Sequence, residues 1–187
     1  MLTSSMLQAS VKDLDLEYLL DNSRVTITEN LPRIEVGSVS LNEMKQGDAV
    51  QLSRWIADIL HEMRFAQSEE ESFEVEMFKS LSRERMQGPA QLSTLDKDFY
   101  IKMRRFLGLI KSKAEQSSAF KPTYDKMAVS TYDLVALRAG KLMVFSSSTS
   151  PPADLADKIT PEEKILFDEA HNLVSNWRAA VIEGATY

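Results

Sequence analysis

Two histidines, His61 and His171, are the residues best suited to acid–base or metal chemistry, and their neighbourhoods are thin. Glu62 follows His61, and Asp168 and Glu169 precede His171. A metal site needs several ligands converging at set distances, and neither an HxxxH nor an HExxH spacing occurs. With no cysteine in the chain, disulfides, thiol catalysis and Cys-type zinc sites drop out together. A nucleophilic serine would need a base and a GxSxG elbow, yet the serines gather in turns and in one linker. The six glycines form neither GxGxxG nor GxxxxGK[ST], so no phosphate cradle is visible. Carboxylates are abundant but sit at helix starts and on surfaces. The sequence therefore points to no catalytic residue, no metal and no cofactor.

The remaining chemistry is ionic. In Asp133-Leu134-Val135-Ala136-Leu137-Arg138-Ala139-Gly140-Lys141-Leu142, Arg138 lies midway between Leu134 and Leu142 and interrupts an apolar stripe. Lys141 follows on much the same helical face. A guanidinium there either packs its stem and sends its head to water, or enters an ion pair within the core or between subunits. A DNA contact is the least favoured reading. Residues 96–145 carry ten Lys/Arg and five Asp/Glu, a net of +5, inside a chain of net charge −6. Solvated helix faces explain this block, and a docking surface for an acidic partner or DNA is the sharper alternative. No aromatic interleaving marks a nucleic-acid platform.

The elements that must position these residues fall into two sets. Leu14 to Leu20 suits a short amphipathic helix after a loose lead-in over the first eleven residues. Arg24–Glu29 alternates with Val25 and Ile27 on one face, Ile34/Val36 and Val39/Leu41 resume the pattern across Gly37-Ser38, and Val50/Leu52 follow a Gly47-Asp48 turn. Residues 24–52 thus read as a small antiparallel sheet. Ser53 then opens a helix expected to bury Trp55, Ile56, Ile59 and Leu60, and helix periodicity holds from there on.

Phe73, Met77 and Leu81 recur after the acidic run Glu69-Glu70-Glu71, which suits a helix N-terminus. Ser93 or Thr94 can cap the stripe Phe99, Met103, Phe106, Leu107, Ile110 and Ala114. Phe120-Lys121-Pro122 opens a further helix. Residues 146–158 have linker composition. Thr160-Pro161-Glu162-Glu163 is a capping box with proline at the first helical position. The last helix carries a wide apolar face, including Leu166, Phe167, Leu173, Val174, Trp177 and Val181. It packs either inside the monomer or against another chain.

At 187 residues the chain has room for one domain or two small ones, burying roughly 70% of its unfolded surface. No apolar run reaches the roughly 18 residues of a membrane span, and Met1–Ser10 does not read as a secretory signal. The fold class is mainly α with a small β-rich N-terminal domain, divided as residues 1–55 and 56–187.

Three stretches together resemble a subunit of GINS, the replication-fork complex that joins the MCM helicase to a Cdc45- or RecJ-like protein. They are Asn30-Leu31-Pro32-Arg33-Ile34 with the run from Gly47-Asp48 to Leu60, then Phe99-Tyr100, then Asp133-Leu134, Leu137-Arg138 and Lys141-Leu142. Their order and spacing carry the match, which extends over residues 12–182. Ser53 stands where the family usually has proline, and Ile56 where it has leucine.

The resemblance implies a B-domain-first subunit, of archaeal type, with a helical A domain after a small β-rich B domain. It implies a non-enzymatic scaffold in a tetramer with an A-domain-first subunit, with contacts to primase or polymerase components and at most indirect contact with DNA. It also implies a cytoplasmic, nucleoid-associated location in an archaeon, or a nuclear one in a eukaryote. Candidate interaction residues are Trp55, Arg138, Lys141, Phe167, Val174 and Trp177. The alternative is a nucleic-acid-binding module using residues 96–145.

Overall fold

Alternating apolar residues and turn chemistry build the N-terminal half, and helical stripes build the rest. The computed structural model describes residues 4–37, 39–68 and 73–183. The elements are α1 (Ser4–Leu20), β1 (Asn22–Ile27), β2 (Ile34–Val36), β3 (Val39–Leu41), β4 (Ala49–Ser53), α2 (Arg54–Glu62), β5 (Ala66–Ser68), α3 (Phe73–Met86), α4 (Phe99–Gln116), α5 (Lys121–Ser146) and α6 (Pro161–Glu183). The chain is mainly α with a small β-rich part, as its periodicities imply. It forms two compact units, residues 12–71 and residues 1–11 with 72–187. Helix α1 gives residues to both.

In the β-rich unit, β1 is central and antiparallel to both β4 and β5, with Val25 opposite Val50 and Ile27 opposite Ala66. A separate hairpin pairs β2 with β3. Val25 and Ile27 point inward with Leu31, Leu41, Met44, Ile56 and Leu60. The turn before β4 forms because Gly47 takes φ +93° and the Asp48 carboxylate accepts the Lys45 N–H at 2.8 Å. Ser38 of the expected Gly37-Ser38 turn, and Glu69-Glu70-Glu71, lie outside the described residues.

Several expectations are corrected. The unit boundary falls after residue 71, not after 55, because Ile56, Ala57 and Leu60 of α2 pack on the sheet and β5 pairs with β1. Among the described residues there are two sheets rather than one, and β5 adds a strand too short and polar to show period two. Helix α1 begins at Ser4 rather than near Leu14. Trp55 is half-buried rather than fully so. Helix α4 starts only at Phe99, and Ser93 serves as a donor to Glu84 instead of a cap. The segment 146–158 is packed rather than a loose linker: Leu155 is buried against Leu92, Leu142 and Phe145.

Helix α2 ends in a Schellman motif. Phe65 N–H bonds the Leu60 carbonyl at 2.8 Å, Arg64 N–H bonds the His61 carbonyl at 3.0 Å, and Arg64 sits at φ +66°. Glycine is the residue that takes this conformation without Cβ strain. Arg64→Gly is expected to stabilise the β-rich unit by about 0.5–1 kcal/mol, the relief of strain exceeding the added freedom of the unfolded chain. An unchanged or lowered urea midpoint would refute this.

Candidate functional site

Helix α5 carries Arg138 into the interior because Leu134 and Leu142, one turn to either side, are both core residues. Its side chain is 0% exposed, so of the readings open for Arg138 the ion pair within the core is the one observed. Nε and Nη2 grip the two oxygens of Glu163 at 2.5 and 2.7 Å. Nη1 donates to Glu84 Oε2 at 2.7 Å and to the Ser93 carbonyl at 2.8 Å, and Nη2 reaches the Lys158 carbonyl at 3.1 Å. Lys141 Nζ donates to Glu84 Oε1 at 2.6 Å and to the Glu84 carbonyl at 3.0 Å. Two cations thus face two carboxylates.

Neighbouring hydroxyls complete the cluster. Tyr100 donates to Glu163 Oε1 at 2.7 Å and Ser93 Oγ to Glu84 Oε2 at 2.6 Å. The capping box forms as its sequence implies: Thr160 N–H bonds Glu163 Oε2 at 3.1 Å, and Glu163 N–H bonds Thr160 Oγ1 at 3.3 Å. Glu163 therefore caps its own helix and holds Arg138 at once. The cluster ties α3, α4, α5, α6 and the segment before α6 through hydrogen bonds and ion pairs among buried side chains.

Burial pushes the Glu84 carboxyl up, but the Lys141 ammonium, the Ser93 donors and Arg138 outweigh that and hold it below its ordinary 4.5. Burial, then the Glu163 charge, pushes the Tyr100 phenol up, so it remains a donor. Burial disfavours the Arg138 charge, yet Glu163 more than restores it. A carboxyl depressed on folding binds more protons when unfolded. The stability it supplies is complete above pH 4.5 and is lost as pH falls through the lower folded value. Urea midpoints of the wild type should therefore fall more steeply below pH 4.5 than those of Glu84→Gln. Parallel pH profiles for the two would show that Glu84 is not the group responsible.

Scanned against family models and curated proteins, the chain matches none. Its own geometry must carry the reading.

The six candidate interaction residues separate. Arg138 and Lys141 meet on Glu84 and are interior, so neither offers its charge to a partner. Trp55 packs against the core of the β-rich unit. Phe167 is half-buried and stacks on His171 at 5.7 Å, Val174 is half-buried, and Trp177 is 62% exposed. Leu173, Val181 and Ile182 accompany Trp177 at the surface of α6. The apolar face of α6 therefore packs within the monomer over its first half and stays uncovered over its second.

His171 Nδ1 donates to the Ser146 carbonyl at 3.0 Å, and Arg178 donates to the Ser147 carbonyl, so both close the C-terminal end of α5. His61 Nδ1 likewise faces the Ala66 carbonyl at 3.2 Å. Among the described residues no group of His, Cys, Asp or Glu is placed to hold a metal, and no helix is long and apolar enough to cross a membrane.

Glu84 was not singled out from sequence, and Ser93, read there as a helix cap, and Tyr100, read only within the Phe99-Tyr100 stretch, were not recognised as partners of the charges. A signal for Glu84 exists: it lies seven residues after Met77 and eleven after Phe73, on the apolar stripe of α3. A carboxylate on one stripe and a guanidinium on another are natural partners.

Proposed function

We propose that this chain is a non-catalytic structural subunit of a GINS-type complex, of the B-domain-first kind. Its partners would be an A-domain-first subunit, the MCM helicase and a Cdc45- or RecJ-like protein. The observation that carries the proposal is the uncovered half of α6, where Leu173, Trp177 and Val181, four residues apart on one helical face, are all exposed. A tryptophan set among aliphatic residues on a rigid helix is the composition of an interface centre. The motif resemblance supplies the family, and the mainly helical architecture with a small β-rich unit is compatible with it. The closed ion cluster serves such a scaffold by fixing the helices that present α6.

The nucleic-acid reading is weaker. Of the ten basic residues between 96 and 145, Arg138 and Lys141 are spent inside, and Arg104 pairs with Glu162 at 3.3 Å. Lys113 and Lys126 lie over the rings of Phe120 and Phe78. The surface charge is smaller than the sequence count suggests.

Light scattering after size exclusion tests the proposal, on the chain alone and co-expressed with A-domain-first candidates from the same genome. A mixed complex of about four chains supports it, and a monomer indifferent to every candidate refutes it. Trp177→Ala should change the stability of the isolated chain by less than about 0.5 kcal/mol, the usual range at exposed positions. It should weaken the mixed complex by about 2 kcal/mol or more. A large loss in the isolated chain would place Trp177 in the core instead.

A further inference from the structure

Helix α5 buries the face that carries Met127, Leu134, Arg138 and Phe145 and leaves the opposite face bare. Val129, Tyr132, Ala136, Gly140 and Met143 follow one another at steps of three or four, so they share that bare side, and all five are exposed. Tyr132 is 75% exposed. Asp125 and Ser147, exposed as well, continue the line at its two ends. Gly140 is the residue that the monomer does not explain. Glycine inside a helix is less stable than alanine, because its unfolded chain has more freedom to lose. A Cβ at Gly140 would meet no atom within 4 Å, and its backbone is not in the left-handed region. Neither its conformation nor its neighbours call for glycine. Close approach of another molecule to the helix backbone does.

The line is symmetric about Ala136. Its steps run four, three, four from Asp125 to Ala136 and four, three, four again from Ala136 to Ser147. A second α5 laid antiparallel, with the two-fold axis at Ala136, therefore brings Tyr132 opposite Gly140 of the other copy, a ring against a gap, and does so twice. Val129 meets Met143. Asp125 falls opposite Ser147, whose carbonyl already holds Arg178. Among the described residues Arg178 pairs with no carboxylate and Asp125 with no cation, so opposite charges meet at both ends of the contact. The residue on the axis, which must face itself, is small and uncharged. We propose that α5 docks on α5 of a second copy of this chain, antiparallel about Ala136, with Tyr132 over Gly140 and Asp125 against Arg178. This goes beyond the assembly reading and does not require it. One helix crossing covers less than the about 800 Å² per partner of a standard stable interface, so the dimer should form at about 10–100 μM chain.

Sedimentation equilibrium of the full chain alone, from about 5 to 500 μM, tests the contact and should show a monomer passing into a dimer. Gly140→Gln puts a side chain where the Tyr132 ring sits, and glutamine is the better helix former. It should weaken the dimer about tenfold or more while the urea midpoint of the dilute monomer stays level or rises. Asp125→Arg sets like charges against each other and should weaken the dimer several-fold. Adding Arg178→Glu to Asp125→Arg should restore it. The chain has no cysteine, so Ala136→Cys places a single thiol on the axis. Mild oxidation should join two copies there, and Leu173→Cys on the bare face of α6 should join far fewer.

A monomer over the whole concentration range would overturn the proposal, as would a dimer indifferent to Gly140→Gln. A lowered urea midpoint for Gly140→Gln would show that the monomer itself needs the glycine and would remove the ground for a close approach. A charge reversal that the second reversal does not mend, or equal cross-linking through Leu173→Cys, would overturn the antiparallel register about Ala136. The chain is tested without any other protein, so these outcomes are separate from the success or failure of the mixed complex.

Discussion

Arg138→Ala is expected to lower the stability of the helical unit by about 3–5 kcal/mol, the usual cost of breaking a buried ion pair from one side. The loss lies less in the attraction removed than in what stays behind. Glu163 would keep a buried charge with only Tyr100 and its own cap as donors, and the Ser93 and Lys158 carbonyls would each lose a partner. Glu84 would retain Lys141 and Ser93. Arg138→Lys should recover little, since an ammonium cannot span both Glu163 oxygens and reach Glu84 as well.

Replacing Arg138, Lys141, Glu84 and Glu163 together by apolar residues of similar volume should cost far less than the single change, because no charge is then stranded. Urea unfolding of the isolated chain measures all three. A loss under about 1 kcal/mol for Arg138→Ala would mean that the cluster does not close as described. The effect must appear without any partner, which distinguishes an internal clamp from a residue of an interface.

Local chemistry was the legible part of the fold. Thr160-Pro161-Glu162-Glu163 marks a helix start whose bonds are those formed, and Val25/Ile27 mark a strand whose inward face is the one observed. Such signals depend on neighbours a few residues apart. What escaped depends on distant pairing: β5 is a strand only because β1 offers it a ladder, and Ser93 is claimed by Glu84 rather than by the start of α4.

Arg138 was legible as an anomaly, a cation on an apolar stripe, but its partners come from α3 and α6. Glu163 was also concealed by its evident capping role. Trp177 shows the opposite limit. Its spacing declares an apolar face, and spacing alone cannot say whether a face is covered.

Phe99→Ala is expected to cost the helical unit about 3–5 kcal/mol, where Trp177→Ala costs the isolated chain almost nothing. Phe99 is 0% exposed, and its ring meets Phe73 at 5.3 Å and Tyr100 at 5.7 Å, the latter edge-on. Phe73 in turn meets Phe106 at 5.7 Å. Truncation removes the transfer energy of the ring and leaves a cavity that the rigid backbone of α4 cannot close. Phe99→Leu, which fills much of that space, should cost markedly less, and a cost equal to that of alanine would argue against a packed aromatic core.

The two large effects should also be coupled. Tyr100 supports Phe99 with its ring edge and donates its hydroxyl to Glu163, so a cavity at Phe99 loosens a donor of the ion cluster. The double variant with Arg138→Ala should depart from additivity by about 0.5–3 kcal/mol, as residues sharing a partner do. Strict additivity would make the aromatic core and the charge cluster independent supports. Coupling would make them one, with Tyr100 as the link between them.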